Sequence, residues 1–87
     1  MRDYFGFKVS DEIFDFIKDM ESYIESQTGF VIQSDCYGVS LDPVGDNIEV
    51  WHCGECVSKF NSIKDFLFGF EIQNKKIIEI ISDFDFS

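Results

Sequence analysis

The spacing of apolar and polar positions changes period along the chain. Over 10–28, SDEIFDFIKDMESYIESQT, the residues Ile13, Ile17, Met20 and Ile24 recur at helical spacing, and Phe14, Phe16 and Tyr23 widen the stripe. Ser10 is a good N-cap, and Asp11 and Glu12 fall in the first turn, where the helix dipole favours anions. Gly29 is a natural stop. The pattern predicts an amphipathic N-terminal helix.

From residue 30 the period is two. FVIQ is short, apolar and β-branched. Tyr37, Val39 and Leu41 alternate with Gly38, Ser40 and Asp42, while Ile48, Val50 and His52 alternate with Glu49, Trp51 and Cys53. Between them DPVGD, residues 42–46, supplies turn chemistry. The pattern predicts a β-hairpin over 36–53, closed by a Pro43–Asp46 turn, with an extra strand near 30–34. Phe60, Ile63 and Leu67 then share a helical face, which predicts a short helix near 60–68 ending at Gly69. The tail fits two readings. Ile78, Ile80, Phe84 and Phe86 suit a strand; Ile77, Ile78, Ile81 and Phe84 suit a helix capped by Asn74, and a helix over 75–83 is the favoured one. The expectation is an α+β fold in a single domain, 1–87. A small antiparallel sheet carries the N-terminal helix and one or two short C-terminal helices on one face.

Composition sharpens this picture. The apolar fraction of 45%, with 11 Phe, is ample for a core and excludes a disordered chain. Against 17 acidic residues stand 7 basic ones, a net charge of −10. Such a charge repels nucleic-acid phosphates and anionic membrane surfaces, so neither is an expected partner. It attracts a basic protein surface and speeds association with it. No apolar run of secretory-signal length opens the chain, and no stretch approaches a membrane span. Three cysteines is an odd count, unlike a disulfide framework, and suits a reducing compartment. A cytoplasmic monomer is expected.

The charge is unevenly placed. Between Lys18 and Lys59 there is no Lys or Arg, while the interval holds Asp19, Glu21, Glu25, Asp35, Asp42, Asp46, Glu49 and Glu55. Glu12, Asp15 and Asp19 lie at helical spacings that bring like charges together, each pair unfavourable by roughly 0.2–0.5 kcal/mol. One reading is a solvated acidic surface that serves solubility. The other is a face matched to a basic partner, in which Asp35, Asp42, Asp46, Glu49 and Glu55, with Asp15 and Asp19 on the helix, surround Trp51 and Tyr37 as aromatic anchors. For Trp51, core packing competes evenly with an anchoring role.

The segment WHCGEC, residues 51–56, raises two chemical possibilities. Cys36, His52, Cys53 and Cys56 number the four soft ligands that structural zinc takes. Yet His52 and Cys53, adjacent on a predicted strand, point to opposite faces, and Cys36 has no neighbouring ligand. The segment also resembles the WCGPC active site of thioredoxin-like proteins through Trp51, Cys53, Gly54 and Cys56. Here His52 is inserted and Glu55 replaces the proline, and a carboxylate between the cysteines works against a thiolate. The plain alternative is a strand that leaves the sheet at Gly54, with its cysteines packed as small apolar residues and His52 a satisfied core or edge histidine. The six glycines are scattered, and no phosphate loop or nucleophile elbow is present. Asp83 and Asp85 read as a solvated tail rather than a catalytic pair. No enzyme activity and no cofactor are expected.

In size, charge and general build the chain resembles the small acidic immunity proteins of bacteria, which neutralise nuclease toxins of colicin and contact-dependent inhibition systems. The nearest local likeness is the tail FLFGFEIQNKKIIEIISDFD. The resemblance implies a stoichiometric inhibitor that covers the substrate cleft of a basic toxin domain, and assigns no role to individual residues. A protein of a phage or mobile element that mimics nucleic acid and blocks a host defence enzyme shares the charge logic. A small zinc or thiol protein using Cys36, Cys53 and Cys56 stands as a third reading.

Overall fold

The computed structural model describes residues 1–33 and 38–84. The fold is α+β. A hairpin of β1 (Arg2–Tyr4) and β2 (Phe7–Val9) precedes helix α1 (Asp11–Glu25). Four strands follow as a meander: β3 (Phe30–Gln33), β4 (Gly38–Val44), β5 (Asn47–His52) and β6 (Glu55–Phe60), in the order β3-β4-β5-β6. The chain ends with α2 (Ile63–Gly69), a minimal hairpin of β7 (Glu71–Ile72) and β8 (Lys75–Lys76), and α3 (Ile77–Ser82). All pairings are antiparallel.

Helix α1 forms where the periodicity predicts it. The Ser10 side chain accepts from the Ile13 amide at 3.2 Å, and Ile13, Ile17, Met20 and Ile24 are buried. Burying a side chain such as Ile17 contributes roughly 2 kcal/mol, so this stripe holds the helix to the core. The helix stops earlier than Gly29 suggests. Gln27 takes the left-handed conformation, and the amides of Gln27 and Thr28 donate to the carbonyls of Ile24 and Tyr23. That is a complete Schellman ending built on a glutamine. Gly29 instead marks a close approach: a Cβ there would lie 3.2 Å from the Leu41 carbonyl oxygen.

The inner face of the four-stranded sheet contributes Ile32, Val39, Leu41, Ile48 and Val50 to one core with the buried faces of all three helices. The hairpin turn is shifted from the Pro43–Asp46 expectation. Its two loop residues are Gly45 and Asp46, with positive φ at Gly45 alone, the type II′ pattern. Pro43 lies within β4 opposite Ile48. Val44 and Asn47, flanking a two-residue loop, form the hydrogen-bonded pair, so the Pro43 nitrogen points away from β5, beyond the end of β3, where no donor is needed.

The chain does not leave the sheet at Gly54. Cys53 and Gly54 both have positive φ, forming a type I′ turn that feeds β6. The expected helix near 60–68 therefore begins later, at Ile63, where the Ser62 side chain accepts from the Asp65 amide at 3.1 Å; Phe60 belongs to β6. The tail is helical, as favoured, but Asn74 does not cap it: Asn74 and Gln73 form another type I′ turn, and Lys76 precedes α3. The predicted strand positions Cys36 and Tyr37, and Asp85 and Phe86 in the tail, lie outside the described residues. Among the described residues no helix is long and apolar enough to cross a membrane.

Candidate functional site

Among the described residues every helix packs on the inner side, and the outer face of the β3–β6 sheet is left open. Cross-strand pairing sets its surface. Val31, Ser40, Trp51 and Cys56 form one row across the four strands, and Asp42, Glu49 and Lys59 form the next. Trp51 is 38% exposed, and Val31 in its row, Val57 on β6 and Val44 at the β4–β5 turn end of β4 are exposed too. The alternation that buries Ile48 and Val50 thus turns Trp51 outward, which removes core packing as the account of this indole. Its Nε1 donates to Glu49 Oε1 at 3.3 Å. Tethered this way, the ring is held against its own strand, a large amphipathic contact surface with few freedoms to lose on binding.

Charge on this face is arranged against local stability. Asp42 and Glu49 are directly opposite on β4 and β5, a like-charge pair that opposes strand pairing. Glu49 finds Lys59 across β6 at 3.9 Å, while Asp42 has no ion pair among the described residues. The open row therefore presents an aromatic plate edged by carboxylates. Val57 is the extra residue of a β-bulge, where Val50 pairs with Ser58 but Trp51 with Cys56. The bulge and Lys59 blunt β6 as an edge strand, which favours contact through the face over strand addition.

The other candidate acids are dispersed. Asp46 sits in the β4–β5 turn and Glu55 just after the β5–β6 turn, at opposite ends of the sheet. Asp15 and Asp19 are exposed on α1, whose buried stripe faces the inner side, so they lie on the layer opposite Trp51. Asp35 lies outside the described residues. The structure thus brings together Trp51, Asp42 and Glu49, sets Asp46 and Glu55 at the margins, and separates Asp15 and Asp19. Val31, Val44 and Val57 escaped the sequence reading; the outward phase of the strands, set by Ile32, Val39 and Leu41 pointing inward, was the signal that could have found the first two.

The WHCGEC segment is a strand, a two-residue turn and a returning strand. Cys53 occupies a left-handed turn position, not a strand position beside His52. Cys56 is exposed in the Trp51 row, its thiol 3.8 Å from the Ser58 carbonyl. Neither stands at a helix N-terminus, the position that activates the first cysteine of a WCGPC segment. His52 Nδ1 lies 3.0 Å from the Gly38 carbonyl oxygen, which can only accept, so Nδ1 carries a proton and the ring ties β5 to β4. Among the described residues no three His, Cys, Asp or Glu side chains converge as metal ligands.

A concavity opens at the β4–β5 turn end of the sheet. A groove of about 480 Å³ runs between the C-terminal end of α1, the tip of the β4–β5 hairpin and the segment leading into α2. Comparison with known proteins finds no matching family model, no matching curated protein and no matching solved structure.

Proposed function

We propose that this protein is a small acidic inhibitor that binds a basic protein through the outer face of its sheet. The observation that carries the reading is the outward-facing Trp51, hydrogen-bonded to Glu49 and set in an uncovered row edged by Asp42. An exposed aromatic ringed by charge, on a rigid sheet, has the composition of an interface anchor. The carboxylates steer encounter with a basic partner, and the buried indole slows release. The form of this function best supported by charge and build is that of a cytoplasmic, monomeric immunity protein that occupies the phosphate-gripping cleft of a nuclease-type toxin. A cleft that binds phosphates is itself basic, so the same acids that repel nucleic acid from this chain attract such a target.

The test is native mass spectrometry of tagged protein recovered from its own host, followed by sequencing of any bound polypeptide and assay of its activity. A basic polypeptide lost at high salt, whose nuclease activity falls in proportion to added inhibitor, supports the reading. A partner that still binds the Asp42→Lys/Asp46→Lys/Glu49→Lys variant with normal affinity overturns the placement on this face. A partner with an acidic surface overturns the function.

A further inference from the structure

We propose that the groove between α1 and the β4–β5 hairpin receives an arginine side chain presented by a polypeptide. The proposal rests on the reading above for its claim that the arginine belongs to a protein partner; the groove's preference for a guanidinium stands on its own geometry.

The floor is apolar, formed by Ile24, Ile48, Ile63 and Pro43, and suits the methylenes of a long side chain. The rim is negative from two elements. Glu25 comes from the last turn of α1 and Asp46 from the hairpin turn, and neither has an ion pair among the described residues. Glu21, a third acid of the lining, is already engaged by the Tyr4 hydroxyl at 3.0 Å and by Lys18 at 3.2 Å. The C-terminal end of α1 opens here with no basic residue in its last turn, so the negative pole of the helix adds to Glu25 instead of being compensated.

An aromatic ring completes the rim, and it already holds a cation. Lys64, the sole basic residue of the lining, places its ammonium 4.9 Å from the centroid of Phe5 and pairs with neither free carboxylate. Phe5 is 64% exposed and has φ of +50° at the first position of a type I′ turn, where Asn or Gly would sit without strain. A bulky ring there opposes both solvation and backbone preference, as expected of a contact residue. Arginine fits better than lysine. Its planar group can stack on an aromatic ring such as Phe5 and still direct several donors at the carboxylates of the lining, whereas an ammonium offers a single, strongly hydrated point charge.

The experiment is an NMR titration of the ¹⁵N-labelled protein with N-acetyl-arginine amide, run beside the lysine and norleucine amides. Saturable amide shifts confined to Phe5–Gly6, Glu25–Gln27, Asp46–Ile48 and Ser62–Lys64 are expected for the arginine derivative, with binding weakened roughly tenfold or more in a Glu25→Gln/Asp46→Asn variant. Phe5→Asn, which relaxes the turn, should weaken binding while leaving the rest of the spectrum in place. Equal response to the lysine or norleucine amide overturns the proposal, as do unsaturable shifts that extend to Asp15 and Asp19. Since the probe is a single amino-acid derivative, its failure leaves the sheet-face reading untouched, and a missing protein partner leaves this result untouched.

Discussion

Trp51 and Glu49 leave the same side of β5, and the indole Nε1 donates to the Glu49 carboxylate at 3.3 Å on a face that no helix among the described residues covers. The only tryptophan of the chain thus reports on the proposed interface. Iodide should quench its fluorescence much less than that of free N-acetyl-tryptophanamide, because Asp42 and Glu49 repel the anion, while neutral acrylamide should show a smaller deficit. Asp42→Asn/Glu49→Gln should restore iodide access. Equal protection from both quenchers would mean that burial, not charge, shields the ring.

The opposed carboxylates of Asp42 and Glu49 predict a separation of stability from function. Asp42→Lys replaces a like-charge pair by an opposite one and should stabilise the fold by roughly 0.2–1 kcal/mol. Under the proposed function, the same change should weaken binding to a basic protein partner. Thermal melting and a binding titration on one preparation check both signs; a fall in melting temperature removes the claim that this pair is held against stability.

Tyr4 joins the N-terminal hairpin to α1. Its ring is buried, and its hydroxyl donates to Glu21 at 3.0 Å. Burial, then the charge of Glu21 and the bond to it, push the phenol well above its ordinary value. The folded state therefore holds this proton more tightly than the unfolded chain. The resulting stability is complete below about pH 10, the ordinary tyrosine value, and is lost as pH rises through the folded-state value. Tyr4→Phe should cost about 1–2 kcal/mol at neutral pH, for loss of a bond to a half-buried carboxylate. It should also flatten the alkaline decline in stability. Chemical denaturation at pH 7 and at alkaline pH measures both.

The turn at Cys53 and Gly54 can be improved. A non-glycine residue in the left-handed region is disfavoured by roughly 1–2 kcal/mol, less for asparagine. Cys53→Asn should therefore raise stability by about 1 kcal/mol, a melting shift of roughly 4–8 °C in a domain of this size. Cys53→Ser/Cys56→Ser should leave melting nearly unchanged, since both side chains are exposed. A large loss in the double serine variant would revive a structural role for the thiols.

Gly69 closes α2 beside an aromatic cluster. A Cβ there would lie 3.0 Å from Cε1 of Phe60, whose ring packs against Phe66 and Phe70. Helix propensity alone predicts that Gly69→Ala stabilises by about 1 kcal/mol. Overpacking against the partly buried Phe60 ring, held by its contacts with Phe66 and Phe70, acts the other way by roughly 1–3 kcal/mol and should prevail. Urea denaturation decides the sign.

What could be read from sequence follows how much chain each feature spans. Helix α1 shows itself through four buried residues over several turns and a serine cap, and the β4–β5 hairpin through its alternation. Strand β6 was hidden because Ser58, not an apolar residue, pairs inward with Val50, and the bulge at Val57 breaks the period. The N-terminal and β7–β8 hairpins have strands of two or three residues, too short for any period to register. Their turns open with Phe5 and Gln73, and the β5–β6 turn opens with Cys53, first positions at which asparagine or aspartate would have announced a type I′ turn. At the site, the acids and Trp51 were visible, but which of them share a face depends on which side of the sheet α1 covers. No spacing along the chain encodes that.

Among the described residues, every strand pairs with the strand immediately before or after it in the chain. The links between paired strands are short, so little loop entropy opposes their formation, and such topologies fold quickly. During synthesis the partner of each returning strand has already been made. The sheet can therefore zip from β3 onward as the polypeptide emerges, with no edge waiting long for a distant segment. Under the proposed function, as inhibitor of a toxin harmful from the moment it folds, early readiness of the sheet face matters as much as affinity.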